Sequence, residues 1–138
     1  MKILLGSGGI RTEERRNLFF HLMKENFEGC KKVIFIPYAS RDYDEYTNSV
    51  KEMFSHLEFE IIGIHELDNP LVELEKMEGI YVGGGNTFSL VQKLHEKEII
   101  EVIRRKVLNN GIPYAGVSAG ANVACPTMQT TNDMPIDL

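Results

Sequence analysis

Apolar residues along this chain fall into two alternating kinds of run. Short, continuous aliphatic and β-branched stretches occur at Ile3-Leu4-Leu5, Val33-Ile34-Phe35-Ile36, 59–64, Gly79-Ile80-Tyr81-Val82 and 112–117, and each reads as a strand. The second is apolar throughout, as expected of a strand buried on both faces. Longer runs at helical spacing separate them. Leu18, Phe19, Leu22, Met23 and Phe27 make one predicted face of a helix over 12–27, with Thr12 as its N-cap. Glu13 and Glu14 fall in the first turn, where they complement the helix dipole. A second helix is predicted over 44–57. Residues 87–108 hold one long helix or two short ones, with Leu90, Leu94, Ile99, Ile103 and Val107 as the apolar stripe, and Asn110-Gly111 closes it. The segment between the third and fourth strands reads as a connection. Strands alternating with helices predict one α/β domain over 1–138: three layers, a mostly parallel sheet with helices on both faces.

Composition narrows the function classes. With 138 residues, 43% of them hydrophobic, the chain can bury a core without a metal or disulfide staple. A formal net charge of -5 and no Lys/Arg stripe argue against a nucleic-acid partner, because nothing replaces phosphate counterions; Arg15-Arg16, Lys31-Lys32 and Arg104-Arg105-Lys106 read as solvated patches. No run approaches the ~20 apolar residues of a membrane span. The apolar run at Met1–Leu5 is too short for a secretory signal, and two cysteines, Cys30 and Cys125, have no metal-ligand spacing. Together these read as a cytoplasmic protein.

Candidate chemistry lies where two glycine-rich motifs follow predicted strands. In open parallel sheets, ligands bind outside the carboxyl ends of the strands. Gly116-Val117-Ser118-Ala119-Gly120 follows the fifth strand and matches a strand-to-helix nucleophile elbow, which holds a serine clear of the backbone and needs small neighbours two residues away. The following helix would aim its free amides at the cleft, so the Ala119 N–H can donate to an oxyanion. Gly83-Gly84-Gly85-Asn86 follows the fourth strand, and three glycines allow close main-chain approach to a ligand. This run reads as a second oxyanion donor, as a phosphate cradle without the glycine-lysine-serine/threonine ending, or as a tight turn. Gly6-Ser7-Gly8-Gly9 lacks dinucleotide-loop spacing and reads as a turn. A serine also needs a base. Of His21, His56, His65 and His95, only His65 falls at the carboxyl end of a predicted strand.

Three blocks carry a family resemblance: Val82-Gly83-Gly84-Gly85-Asn86-Thr87-Phe88, then Gly116-Val117-Ser118-Ala119-Gly120-Ala121-Asn122, then the segment Pro126–Pro135 containing Thr130-Thr131-Asn132-Asp133-Met134. Phe35-Ile36-Pro37-Tyr38-Ala39 and Asp44-Glu45-Tyr46-Thr47 fit as earlier segments. Together they resemble peptidase E, the α-aspartyl dipeptidase family. The resemblance implies a sheet similar to that of class I glutamine amidotransferases and a serine peptidase that cleaves dipeptides with N-terminal aspartate, without metal or cofactor. It implies Ser118 as nucleophile, the amides of Gly85 and Ala119 as oxyanion hole, and Asn86 and Asp133 as residues lining the site. Cyanophycinases share the elbow. The Gly6–Gly9 stretch is more glycine-rich than the family leads one to expect. In the family, the catalytic histidine, its acidic partner and a substrate-reading arginine follow the Thr-Thr-Asn-Asp-Met-Pro block, and no histidine here matches that position. The chain is therefore expected to be a family domain lacking the C-terminal part. Two functions follow: a serine dipeptidase, or a truncated, catalytically impaired member acting as a binding or assembly module. A sheet without its full cover is expected to self-associate as a homo-oligomer, or to pair with a partner, through the surface beside the elbow.

Overall fold

The computed structural model describes residues 2–6 and 12–128, with the side chains of all of these except 122 and 125–128. Strands β1 (Ile3–Gly6), β2 (Lys32–Ile36), β3 (Glu60–Gly63), β4 (Gly79–Val82) and β5 (Tyr114–Val117) form one sheet in the order β1-β5-β4-β2-β3, every pair parallel. Helices α1 (Glu13–Asn26), α2 (Tyr43–Met53), α3 (Pro70–Lys76), α4 (Thr87–Glu96), α5 (Ile99–Leu108) and α6 (Ala119–Met128) flank it.

The unbroken apolar run of β2 feeds two cores. Val33 and Phe35 pack with Met23 of α1 and Val50 of α2 and with Phe27 and Phe54, the residues that cap the two helices at their C-termini. Ile34 and Ile36 point the other way, into a core with Leu74 of α3, Leu90 and Leu94 of α4, and Ile103 and Val107 of α5. Successive strand residues face opposite sides, so a strand sandwiched between helix layers must be apolar at every position. This is the three-layer α/β fold that the alternation predicts.

Helix starts follow local chemistry. Thr12 Oγ1 accepts from the Arg15 N–H at 3.1 Å, Asp42 Oδ1 from the Glu45 N–H at 3.0 Å, and Asn86 Oδ1 from the Ser89 N–H at 3.1 Å. Those caps open the helices that follow β1, β2 and β4, at the carboxyl edge of the sheet. Register brings the strand ends level there: Ile36 pairs with Val82, Val82 with Gly116, and Gly6 with Val117.

One point left open by the sequence is settled, and three details differ from the sequence reading. The 87–108 segment is two helices, broken at Glu98, whose φ of 58° is left-handed. The connection after β3 contains a 3₁₀ turn, Ile64–Glu66, and α3. Helix α2 stops at Met53, four residues short of the expected end. Leu18, placed on the buried face of α1, is 57% exposed. Among the described residues no helix is long and apolar enough to cross a membrane.

Candidate active site

Ser118 sits between β5 and α6 with φ 52°, a left-handed backbone that an L residue adopts at a cost of about 1–3 kcal/mol. Its surroundings enforce that turn. The Ser118 N–H donates to the Gly6 carbonyl at 2.8 Å, fastening the elbow to the end of β1. Tyr114, four residues upstream and fully buried, donates its hydroxyl to the Gly120 carbonyl at 2.9 Å, so the first turn of α6 is tied back onto β5. The two elbow glycines answer close approach: a Cβ on Gly116 would lie 2.6 Å from the Gly120 carbonyl oxygen, and one on Gly120 would strike the Val82 carbonyl. Ala119 opens a ten-residue helix, and the first N–H groups of a helix have no intrahelical acceptor. The positive end of the α6 dipole therefore lies beside Ser118.

The glycine run after β4 lies against the elbow. A Cβ on Gly84 would stand 3.0 Å from Ser118 Cβ and 3.7 Å from its Oγ. Three of the run's four amides are engaged: Gly83 N–H donates to Ile36 O at 3.1 Å, Gly84 N–H to Tyr46 Oη at 2.8 Å, and Asn86 N–H to Ala39 O at 2.9 Å. The Gly85 N–H has no acceptor among the described residues. Gly85 has φ 136°, and a Cβ there would collide with the Ala39 carbonyl. Only glycine can take that conformation in that space. Tyr46 comes from the first turn of α2, its ring edge-on to Phe35 at 5.0 Å between centroids. Burial raises its phenol pKa, the Gly84 N–H opposing this, so at neutral pH it is a neutral acceptor.

The other expected residues are placed unevenly. Asn86, expected to line the site, is the N-cap of α4 with its side-chain oxygen on Ser89. Asp133 and the Ser7-Gly8-Gly9 stretch lie outside the described residues. His65 lies in the 3₁₀ turn after β3, three inter-strand steps from β5, or about 14 Å at ~4.8 Å per step. Its Nε2 is 2.8 Å from Asp44 Oδ1, and its Nδ1 is buried without a partner among the described residues. His21 pairs with Glu25 on α1, His56 packs edge-on to Phe20, and His95 is exposed on α4. Among the described residues, no histidine bonds to Ser118. Sequence reasoning gave no site role to Tyr46, Ala39 and Tyr114, which hold the two motifs in place. One signal was available: helices after parallel strands start at the carboxyl edge, so first-turn residues such as Tyr46 face the site.

The glycine loop and the elbow both fall within a family match that covers nearly all of the chain: the model of peptidase family S51 matches residues 2–138. The chain belongs to peptidase family S51. This S51 chain is 40% identical to peptidase E of Nostoc sp. over 98% of its own length and 57% of the relative's. It is 44% identical to a protein named as a probable alpha-aspartyl dipeptidase in Drosophila melanogaster, over 77% of this chain and 44% of that one. The crystal structure of a candidate peptidase E from Listeria monocytogenes superposes with a TM-score of 0.64 at 30% identity, covering 88% of this chain and 60% of the other. The S51 chain thus spans about half the length of the relatives it matches.

Proposed function

We propose that this chain supplies the nucleophile and oxyanion donors of a serine dipeptidase that acts on peptides with N-terminal aspartate. The observation that carries the reading is the left-handed Ser118 at a strand-to-helix elbow, with the glycine loop against it at Gly84 and the next amide of that loop, Gly85 N–H, without an acceptor among the described residues. Ser118 Oγ would attack the peptide carbonyl carbon while the Gly85 and Ala119 N–H groups receive the developing oxyanion. The serine proton passes to a base outside the described residues, which returns it to the leaving nitrogen as the tetrahedral adduct collapses; the second residue leaves as a free amine, and the aspartyl ester left behind is cleaved by water. Asn86 and Asp133 are assigned to the substrate-facing wall. The names of the Nostoc and Drosophila relatives support the peptide substrate class. The free thiol of Cys30, half-buried against the Glu78 carbonyl, fits a reducing cytoplasm.

We also take the chain to self-associate. Among the described residues β1 is an edge strand whose four residues are all half-exposed, and Phe88, next to the glycine loop, is 83% exposed.

The direct assay is hydrolysis of Asp-Leu by the chain and by Ser118→Ala. Release of free aspartate that falls by about a thousandfold or more in the variant supports the proposal. Aspartate release equal in both chains, or absent from both, contradicts it.

A further inference from the structure

A run of three glycines is the most conformationally free backbone a protein can make, so an oxyanion donor placed in one has to be held by something else. Two of the bonds that hold this run are main chain to main chain, from Gly83 to Ile36 and from Asn86 to Ala39. The third comes from a side chain 38 residues away, the Tyr46 hydroxyl, which accepts the Gly84 N–H at 2.8 Å. Contact is direct on the neighbouring residue too, since a Cβ on Gly83 would lie 2.6 Å from Tyr46 Oη.

We propose that Tyr46 is a positioning residue for the oxyanion loop: by taking the Gly84 N–H, its hydroxyl fixes the peptide planes on either side and leaves the Gly85 N–H as the amide turned to substrate. The inference rests on the reading of Ser118 as nucleophile and adds a role for α2, which otherwise serves the core on the far side of the sheet. The ring alone does not account for the arrangement. Phenylalanine would pack on Phe35 as well, whereas the hydroxyl occupies the space that Gly83 leaves open and accepts the Gly84 N–H, which has no main-chain acceptor among the described residues. Losing that bond frees Gly84 to rotate, and the Gly85 N–H turns with it. An oxyanion donor acts through being fixed before charge develops, so the cost falls on the chemical step and hardly on substrate binding.

The test is Tyr46→Phe, with Tyr43→Phe as the control for losing a phenol from the same helix turn. Two readouts are taken on the 138-residue chain: amide hydrogen exchange at Gly84 and Gly85, and the reaction of Ser118 with a fluorophosphonate, separated into kinact and KI. Tyr46→Phe is expected to accelerate exchange at Gly84 and shift the Gly85 amide resonance. It should lower kinact about 10- to 100-fold, with KI within about threefold and a thermal midpoint lowered by no more than about 5 °C. Tyr43→Phe should leave kinact and Gly84 exchange as they are. Unchanged Gly84 exchange in Tyr46→Phe overturns the proposal, as does an unchanged kinact where the unsubstituted chain reacts. If Ser118 of the unsubstituted chain is inert, the nucleophile reading fails separately, and the Tyr46 tether stands or falls on the Gly84 exchange alone.

Discussion

At the scale of single residues, the site is strain held in place by packing. Ser118 keeps a left-handed backbone because Gly6, Tyr114 and the close contact of β5 with α6 leave it no other. Ser118→Gly should therefore be more stable than Ser118→Ala by about 1 kcal/mol, since glycine escapes the Cβ penalty that alanine shares with serine. Urea denaturation of the two variants checks this, and a glycine variant that is equal or less stable contradicts a strained elbow. The elbow was legible in the sequence because its chemistry is local: five consecutive residues carry it. Which amide of the glycine run lacks an acceptor does not follow from those residues themselves, although the resemblance singles out Gly85, because Tyr46 and Ala39 reach the loop only through tertiary packing.

At the scale of elements, the break between α4 and α5 shows how burial overrides a continuous helical pattern. In one straight helix at ~100° per residue, Ile99 would lie opposite Leu90. The left-handed Glu98 redirects the chain, and both residues are fully buried. Glu98 is exposed, so Glu98→Gly should stabilise the chain by about 0.5–1 kcal/mol and Glu98→Val should destabilise it. Thermal denaturation in which both variants shift the same way would count against a left-handed residue at this joint. That geometry was present in the spacing of the apolar stripe, which allowed two helices without choosing them. Leu18 was misplaced for a related reason. At the same angular step it stands about 140° from Met23, outside the arc of Phe19, Phe20, Met23 and Phe27 that packs on the sheet. Helix α3 stayed hidden because seven residues give too little periodicity to distinguish from a loop.

At the scale of the whole molecule, alternation of strands and helices predicted the parallel three-layer fold, while the order β1-β5-β4-β2-β3 required the structure. That order is what sets the glycine loop beside the elbow and puts His65 far from both. It also leaves β1 at an edge of the described sheet, so sedimentation at micromolar concentration should show a species larger than one chain; a monodisperse monomer would contradict the self-association proposed above. The central claim is that the fold, and not the serine alone, makes Ser118 a nucleophile. Its most direct test is to treat native chain, urea-unfolded chain and Ser118→Ala with a fluorophosphonate and to map the adduct by mass spectrometry. The account predicts one adduct, on Ser118, in the native chain only. No adduct on Ser118, or equal modification of the unfolded chain, would contradict it.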